Sequence, residues 1–131
     1  MSEYLLEVKD LKVYFPTGRG LGKKKNFLKA VDGVSFSLHA GETLGIVGES
    51  GCGKSTCGNS IIRLINPTEG EVLFEGKDLA KMSQRQMRSL RRDIQMIFQD
   101  PFSSLNPRMR VKDIIAEPLI THKSDRSHVV L

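Results

Sequence analysis

The sequence contains no tryptophan, only two cysteines and no long apolar run. Cys52 and Cys57 match neither a C-x-x-C pair nor a disulfide framework, so we expect both thiols to be reduced. No apolar stretch approaches the roughly 18 to 20 residues that span a bilayer, and MSEYLLEVKD at the start is unlike a signal peptide. These absences exclude a disulfide-stabilised secreted scaffold and a transmembrane helix, and they predict a cytoplasmic location.

The composition is that of a soluble globular domain, since 39% of the 131 residues are hydrophobic and 27% are charged. The net charge of +5 fits a phosphate-rich ligand, an anionic lipid headgroup or nucleic acid equally well. Charge alone therefore does not identify the ligand, and the motifs have to do so.

Hydrophobic spacing predicts an order of strands and helices. Residues 6–15 largely alternate and indicate a strand that ends at Pro16, before a glycine-rich basic loop. The segments AVDGVSFSL and TLGIV, joined by the turn HAGE, are typical of an antiparallel hairpin. Further along we predict a helix from Lys54 to Ile65, a strand at GEVLFEG, a helix at SQRQMRSLRR, a buried strand from Ile94 to Phe98, a loop at QDPFSSLNPRM and a helix from Val111. This order favours an α/β domain with a mixed sheet.

The stretch GIVGESGCGKST carries the chemistry. It satisfies G-x-x-x-x-G-K-[ST] at Gly48, Gly53, Lys54 and Ser55, with a further glycine at Gly51. The glycines predict positive φ and several N–H groups around one phosphate, at the positive end of the following helix. Lys54 is expected to reach the β- and γ-phosphates, and the Ser55 hydroxyl to bind Mg²⁺. The loop therefore predicts a nucleoside triphosphate ligand.

Recognition of the base must come from another part of the chain. No guanine-reading N-K-x-D motif is present, which argues against a GTPase. Tyr14 and Phe15 end a strand ahead of the loop, and either ring could stack on a purine for roughly 1 to 3 kcal/mol. Packing within the strand is an equally good explanation of both aromatic residues.

The phosphate loop, together with IQMIFQDPFSSLNPRMRV, resembles the ATP-binding subunits of ABC transporters, and FQDPFSSLNPR points to the oligopeptide and dipeptide import branch. The resemblance covers residues 4–120. It implies an α/β fold: a P-loop NTPase (RecA-like) core with an antiparallel β subdomain, ending within the start of a helical subdomain. The implied divisions of 1–131 are a β region at 1–47 with a basic loop at 16–29, the Walker A loop at 48–56, the core to the Q-loop at 57–100, the start of the helical subdomain at 101–120 and an atypical tail at 121–131.

The resemblance also implies the site residues and partners. Gln99 is the Q-loop residue that touches Mg²⁺ and the attacking water, and Phe15 is the better choice for stacking on adenine, with Tyr14 second. Residues implied in binding ATP are Phe15, Gly48, Glu49, Ser50, Gly51, Cys52, Gly53, Lys54, Ser55 and Thr56; those implied in binding Mg²⁺ are Ser55 and Gln99. The implied partners are transmembrane permease subunits, contacted through SSLNPRMRV, and a second ATP-binding subunit, at the inner face of the membrane. The peptide would not bind this chain directly.

The sequence departs from the family after Gln99. It has no LSGGQ-type signature, no Walker B strand ending in Asp-Glu and no switch histidine. Asp93 precedes its predicted strand, Asp100 directly follows Gln99, and His122 and His128 lie in the aperiodic tail, where we interpret them as solvated. We therefore expect an ATP-binding module for peptide import that does not hydrolyse ATP by itself. The alternatives are a non-catalytic nucleotide-binding fragment and another P-loop phosphotransferase, such as a small kinase without a membrane partner.

Two features remain outside this interpretation. Arg85, Arg88, Arg91 and Arg92 form a basic face on the predicted second helix, which we interpret as solvated, with no nucleic-acid partner expected. Lys23, Lys24 and Lys25 are interpreted in the same way. Cys52, inside the phosphate loop, is interpreted as a small space-filling residue, although its place at a helix N-terminus favours a reactive thiolate.

Overall fold

The computed structural model describes residues 3–18 and 26–122 of the chain. The chain forms two compact units, Met1–Gln84 and Arg85–Leu131. In chain order the elements are β1 (Leu6–Thr17), β2 (Asn26–Leu38), α1 (Lys54–Ile61), β3 (Glu69–Phe74), β4 (Lys77–Asp78), a 3₁₀ turn (Leu79–Lys81), α2 (Gln84–Leu90), α3 (Pro101–Ser104) and α4 (Val111–Thr121).

The first unit is built on a four-stranded sheet in the order β2-β1-β3-β4. Its strand pairs are all antiparallel, and β1 is a central strand with β2 on one side and β3 on the other. The alternation predicted for the first strand is confirmed, because Val8, Leu11 and Val13 are buried. The three-residue step from Val8 to Leu11 is a bulge, at which Asp10 has a φ of 45°.

Two predicted strands are wrong. Neither TLGIV (residues 43–47) nor residues 94–98 form a strand, and β2 pairs with β1 rather than with TLGIV in a hairpin. Both segments were predicted from apolar runs alone, but a strand also needs a neighbour to complete its backbone ladder. Val47 is 92% exposed and Ile97 is 95% exposed, so the burial predicted for residues 94–98 is wrong and TLGIV also leaves a large apolar side chain in contact with solvent. The described sheet is consequently antiparallel and not mixed.

Several boundaries also differ from prediction. The basic loop is shorter than 16–29, because the pairs Pro16↔Phe27 and Thr17↔Asn26 extend the β1–β2 ladder into it. Its three adjacent lysines, 23 to 25, lie outside the described residues, as does His128. Helix α1 ends at Ile61 instead of Ile65. The predicted strand at GEVLFEG and the predicted helix from Val111 are confirmed as β3 and α4.

Each unit has its own buried residues. In the first unit, Val72 and Leu79 are completely buried with the β1 side chains named above. In the second unit, Met87 of α2 and Ala116 of α4 are buried. None of the helices in the described ranges has the length and apolar character required to cross a bilayer.

Candidate functional site

The glycine-rich loop lies between an extended segment and α1, and two of its glycines adopt left-handed backbone. Gly51 has a φ of 81° and Gly53, the N-cap residue of α1, has a φ of 95°. A Cβ at Gly53 would lie 2.1 Å from the carbonyl oxygen of Ala30, so β2 and the loop can approach this closely only at a glycine. Gly48 is outside the left-handed region, and the positive φ predicted for it is wrong. A Cβ at Gly48 would lie 2.5 Å from the sulfur of Cys52, so this exposed side chain would have to change its rotamer.

The Lys54 side chain folds back over the loop. Its Nζ donates to the carbonyl oxygens of Gly48 and Glu49, both at 2.6 Å, and lies 3.5 Å from the Cys52 sulfur. The N–H of Cys52 donates to the Glu49 oxygen at 3.3 Å, which closes a turn that includes the exposed Ser50. The loop therefore holds the Lys54 ammonium group close to its own backbone.

Helix α1 presents unpaired donors at the same end. Its first intrahelical bond runs from the Cys57 N–H to the Gly53 carbonyl at 2.8 Å, so the N–H groups of Lys54, Ser55 and Thr56 have no carbonyl within the helix. Gly53 offers no side-chain cap, and the first turn carries no acidic residue. Free N–H groups, the helix dipole and the Lys54 ammonium all favour an anion here.

The remainder of α1 is fixed in the first unit. Ser60 is fully buried and its hydroxyl donates to the Cys57 carbonyl, while burial raises the pKa of the Cys57 thiol. Beyond the helix, Arg63 has a φ of 54° and its guanidinium donates to the carbonyl oxygens of Leu79 at 2.8 Å and Met82 at 2.6 Å. These bonds hold the helix that carries the loop against the turn at Leu79–Lys81.

A cavity of about 270 Å³ adjoins the loop. It is formed by β2, the segment before the loop and α1, and it is lined by Ala30, Val31, Asp32, Val34, Phe36, Ile46, Val47, Cys52, Gly53, Lys54 and Cys57. Most of these side chains are apolar, with the Lys54 ammonium and the Asp32 carboxylate as the charged groups. A largely apolar cavity with a few polar groups is the usual form of a small-molecule site.

The two aromatic candidates for base stacking have different surroundings. The Tyr14 hydroxyl donates to Asp32, which raises the pKa of Tyr14, and the Lys29 ammonium lies 5.1 Å from the ring centroid. One face of the Tyr14 ring is thus covered by a cation. Phe15 pairs with Leu28 across the strands and is 37% exposed. Phe15 is therefore the more accessible of the two rings.

Gln99 belongs to the second unit, where it is exposed. The next residue, Asp100, is the N-cap of α3, and its Oδ1 accepts from the N–H groups of Phe102 at 3.0 Å and Ser103 at 3.3 Å. The bonds from Ser103 and then Phe102 hold the pKa of Asp100 below its usual value. The predicted loop QDPFSSLNPRM thus contains a short capped helix, which Asp-Pro at N-cap and N1 could have indicated.

The residues present can be tested for their fit to Mg²⁺. No cluster of three or more His, Cys, Asp or Glu side chains suited to a metal occurs in residues 3–18 and 26–122. Ser55 exposes its hydroxyl at the N-terminus of α1. Hydroxyl and amide oxygens are hard ligands of the kind that Mg²⁺ accepts, but the single hydroxyl of Ser55 in the first unit and the single amide of Gln99 in the second are each too few to hold the ion without further oxygens. The residues fit an ion that arrives already bound to phosphates.

Solved structures identify the fold. The chain is similar to the ATP-binding cassette MJ0796 bound to ADP and Pi, with a TM-score of 0.76, 29% identity, and 89% of this chain and 47% of that chain covered. It is also similar to MJ1267, an ATP-binding cassette of an ABC transporter in its ADP conformation, with a TM-score of 0.52, 32% identity, and 66% of this chain and 30% of that chain covered. The architecture is that of part of an ATP-binding cassette, as the sequence predicted.

The chain belongs to the ABC transporter family, whose model matches residues 31–131. It is 59% identical to the oligopeptide transport ATP-binding protein AppF of Bacillus subtilis over 92% of its own length and 37% of the relative. It is 55% identical to the oligopeptide transport ATP-binding protein OppF of Salmonella typhimurium over 90% of its own length and 36% of the relative. The chain thus spans a little over one third of the length of these relatives, and the predicted resemblance is confirmed.

Proposed function

We propose that residues 48–56 bind the phosphates of ATP and that the chain supplies the ATP-binding module of an oligopeptide importer. The observation that carries the proposal is the combination of the Lys54 ammonium, held at the loop by two carbonyl oxygens, with three unpaired N–H groups at the start of α1. Both sets of donors converge where the glycines allow close approach of a phosphate. Similarity to relatives named as oligopeptide transport ATP-binding proteins supports the transport role.

Individual roles follow from position. The Lys54 ammonium donates to phosphate oxygens in place of its two carbonyl partners. Phosphate oxygens carry negative charge, so these hydrogen bonds are stronger than those to the carbonyl oxygens. The N–H groups of residues 49–56 surround the phosphates, with Gly48, Gly51 and Gly53 providing room and backbone freedom. Ser55 and Gln99 hold the Mg²⁺ that accompanies the nucleotide; when bound, this ion neutralises phosphate charge. Gln99 also orients the water, and Phe15 stacks on adenine.

The proposed partners are permease subunits and a second ATP-binding subunit at the inner face of the membrane. The segment SSLNPRMRV is the proposed permease contact, and within it Ser103 and Ser104 are fixed by hydroxyl bonds to the Asp100 carbonyl. The peptide is not proposed to touch this chain, since the charged donors of the first unit suit an anionic phosphate ligand. No nucleic-acid partner is proposed.

Titration calorimetry with Mg-ATP tests the proposal. The parent chain is expected to bind, and Lys54→Ala to bind at least about tenfold more weakly, because a charge-assisted hydrogen bond to phosphate is worth about 1.5 to 3 kcal/mol. Lys77→Ala is the matched control, since it removes a lysine from β4, which contributes nothing to the loop. Equal affinity of parent and Lys54→Ala would contradict the proposal.

A further inference from the structure

A second cavity, of about 350 Å³, lies in the second unit and is not part of the phosphate loop. It is lined by side chains of α2 and of the C-terminal end of α4: Arg85, Arg88, Ser89, Thr121 and His122. Its volume falls within the range of small-molecule sites, about 300 to 1,000 Å³. All five lining residues carry a polar or charged group at the end of the side chain.

Among residues 3–18 and 26–122, no carboxylate of this cavity balances the charge of its two arginines. Arg85 and Arg88 are one helical turn apart on α2, and no carboxylate lines the cavity. Across residues 3–18 and 26–122, neither guanidinium group forms an ion pair or a hydrogen bond. Two like charges three residues apart repel each other on a helix surface. An anion between the two groups would remove this repulsion.

The donors in the cavity suit phosphate chemistry. A guanidinium group presents a planar fork of N–H donors that matches two phosphate oxygens, and two arginines line this cavity. The Thr121 hydroxyl and the His122 ring can add further donors. Ser89 is different, because its hydroxyl already donates to the Gln86 carbonyl at 2.8 Å.

The surrounding unit is also positive, since residues 85–122 contain seven Lys and Arg side chains and four Asp and Glu side chains. A surplus of positive charge raises the local concentration of anions. Arg85 and Arg88 are exposed, as the interpretation of a solvated basic face predicts, and these two arginines of that face also line the cavity.

We propose that the cavity formed by Arg85, Arg88, Thr121 and His122 binds a phosphate group, independently of the phosphate loop. The phosphate can be carried by an anionic phospholipid headgroup or be free in solution, since both present the same oxygens to the guanidinium forks. This site does not depend on the proposed ATP-binding role, because it shares no residue with residues 48–56.

The experiment uses the full chain carrying Lys54→Ala, so that the phosphate loop does not contribute. Inorganic phosphate is titrated by calorimetry, and sedimentation is measured with vesicles of phosphatidylcholine alone or mixed with phosphatidylglycerol. Arg85→Gln/Arg88→Gln is the test variant, because glutamine keeps helix propensity while removing both charges. Lys77→Gln/Lys112→Gln is the control, because it removes the same charge outside the cavity. Circular dichroism checks that both variants stay folded.

The test variant is expected to weaken anion binding about tenfold or more, and the control about twofold at most, because only the test variant removes converging charge-assisted bonds. If the test variant binds inorganic phosphate more weakly than the control does, a free anion is sufficient as the ligand. If the test variant binds more weakly only to phosphatidylglycerol vesicles, the ligand is the lipid headgroup. Equal binding by the test variant and the control, with both probes, would overturn the proposal.

Discussion

Replacing Gly53 with alanine should be the most damaging of the single-methyl changes in the loop. The new Cβ would lie 2.1 Å from the Ala30 carbonyl oxygen and 3.2 Å from its carbon, and both are backbone atoms that cannot rotate away. The residue also has a φ of 95°, which costs an L-residue about 1 to 2 kcal/mol. Adding about 1 to 3 kcal/mol for overpacking gives a loss of about 2 to 5 kcal/mol.

Substitutions at two neighbouring glycines separate the backbone penalty from the overpacking penalty. Gly51 has a φ of 81° but no atom within 4 Å of a Cβ, so Gly51→Ala should cost only the backbone penalty of about 1 to 2 kcal/mol. Gly45 has neither a left-handed φ nor a close neighbour. Gly45→Ala should therefore be neutral or stabilise by about 0.4 to 1 kcal/mol, because alanine reduces the entropy of the unfolded chain.

Urea unfolding followed by circular dichroism measures all three variants against the parent. The expected order of stability is Gly45→Ala, then Gly51→Ala, then Gly53→Ala. The close approach of β2 to the loop would be refuted if Gly53→Ala were no less stable than Gly51→Ala, because the two differ mainly in the contact with Ala30.

Three further outcomes are expected. Phe15→Ala should weaken Mg-ATP binding in calorimetry by about 1 to 3 kcal/mol. Tyr14→Ala should weaken it by less, because Lys29 covers one face of the Tyr14 ring. The reverse order would assign the stacking role to Tyr14. Asp100→Ala should lower stability in urea at neutral pH and Asp100→Asn should not, since both Asp and Asn cap helices. The pKa of Asp100 is lower in the folded chain than the ordinary Asp value of about 3.9. The parent should therefore be more stable than Asp100→Ala by the full amount above about pH 3.9, and this difference in stability should shrink as the pH falls through the lower folded pKa. A difference in stability that does not change with pH would contradict this. The purified chain should release no more phosphate from ATP than the Lys54→Ala variant does. The Gln99 amide carries no charge, and the Asp100 carboxylate already accepts hydrogen bonds at the start of α3. Phosphate release by the parent that Lys54→Ala abolishes would reveal a carboxylate that acts in catalysis.

The sequence predicted the start of α1 after the glycine loop better than it predicted the sheet. The spacing of Gly53, Lys54 and Ser55 defines a local structure, in which glycine conformations and a helix start are set by adjacent residues. Strand pairing depends on distant partners, and the apolar segments at 43–47 and 94–98 carry no local signal that says whether a neighbour is available.

Other features are set by contacts that no local pattern encodes. The partners of Arg63 are carbonyl oxygens 16 and 19 residues away. The requirement for glycine at Gly53 comes partly from Ala30 on β2, and the choice between Tyr14 and Phe15 depends on where Lys29 lies. By contrast, the helix cap at Asp100 can be predicted from the sequence, because an Asp-Pro pair is typical of the N-cap and N1 positions of a helix.

Nucleotide protection of Cys52 tests the central claim most directly. Cys52 is exposed in the loop, whereas Cys57 is buried with a raised pKa and serves as an unreactive internal reference. The rate of alkylation at Cys52 by iodoacetamide is measured by mass spectrometry with and without Mg-ATP. Mg-ATP at a concentration that only just saturates the parent should slow alkylation in the parent and slow it much less in Lys54→Ala, which binds the nucleotide more weakly. Alkylation of Cys52 at the same rate with and without bound Mg-ATP would show that the nucleotide does not occupy residues 48–56.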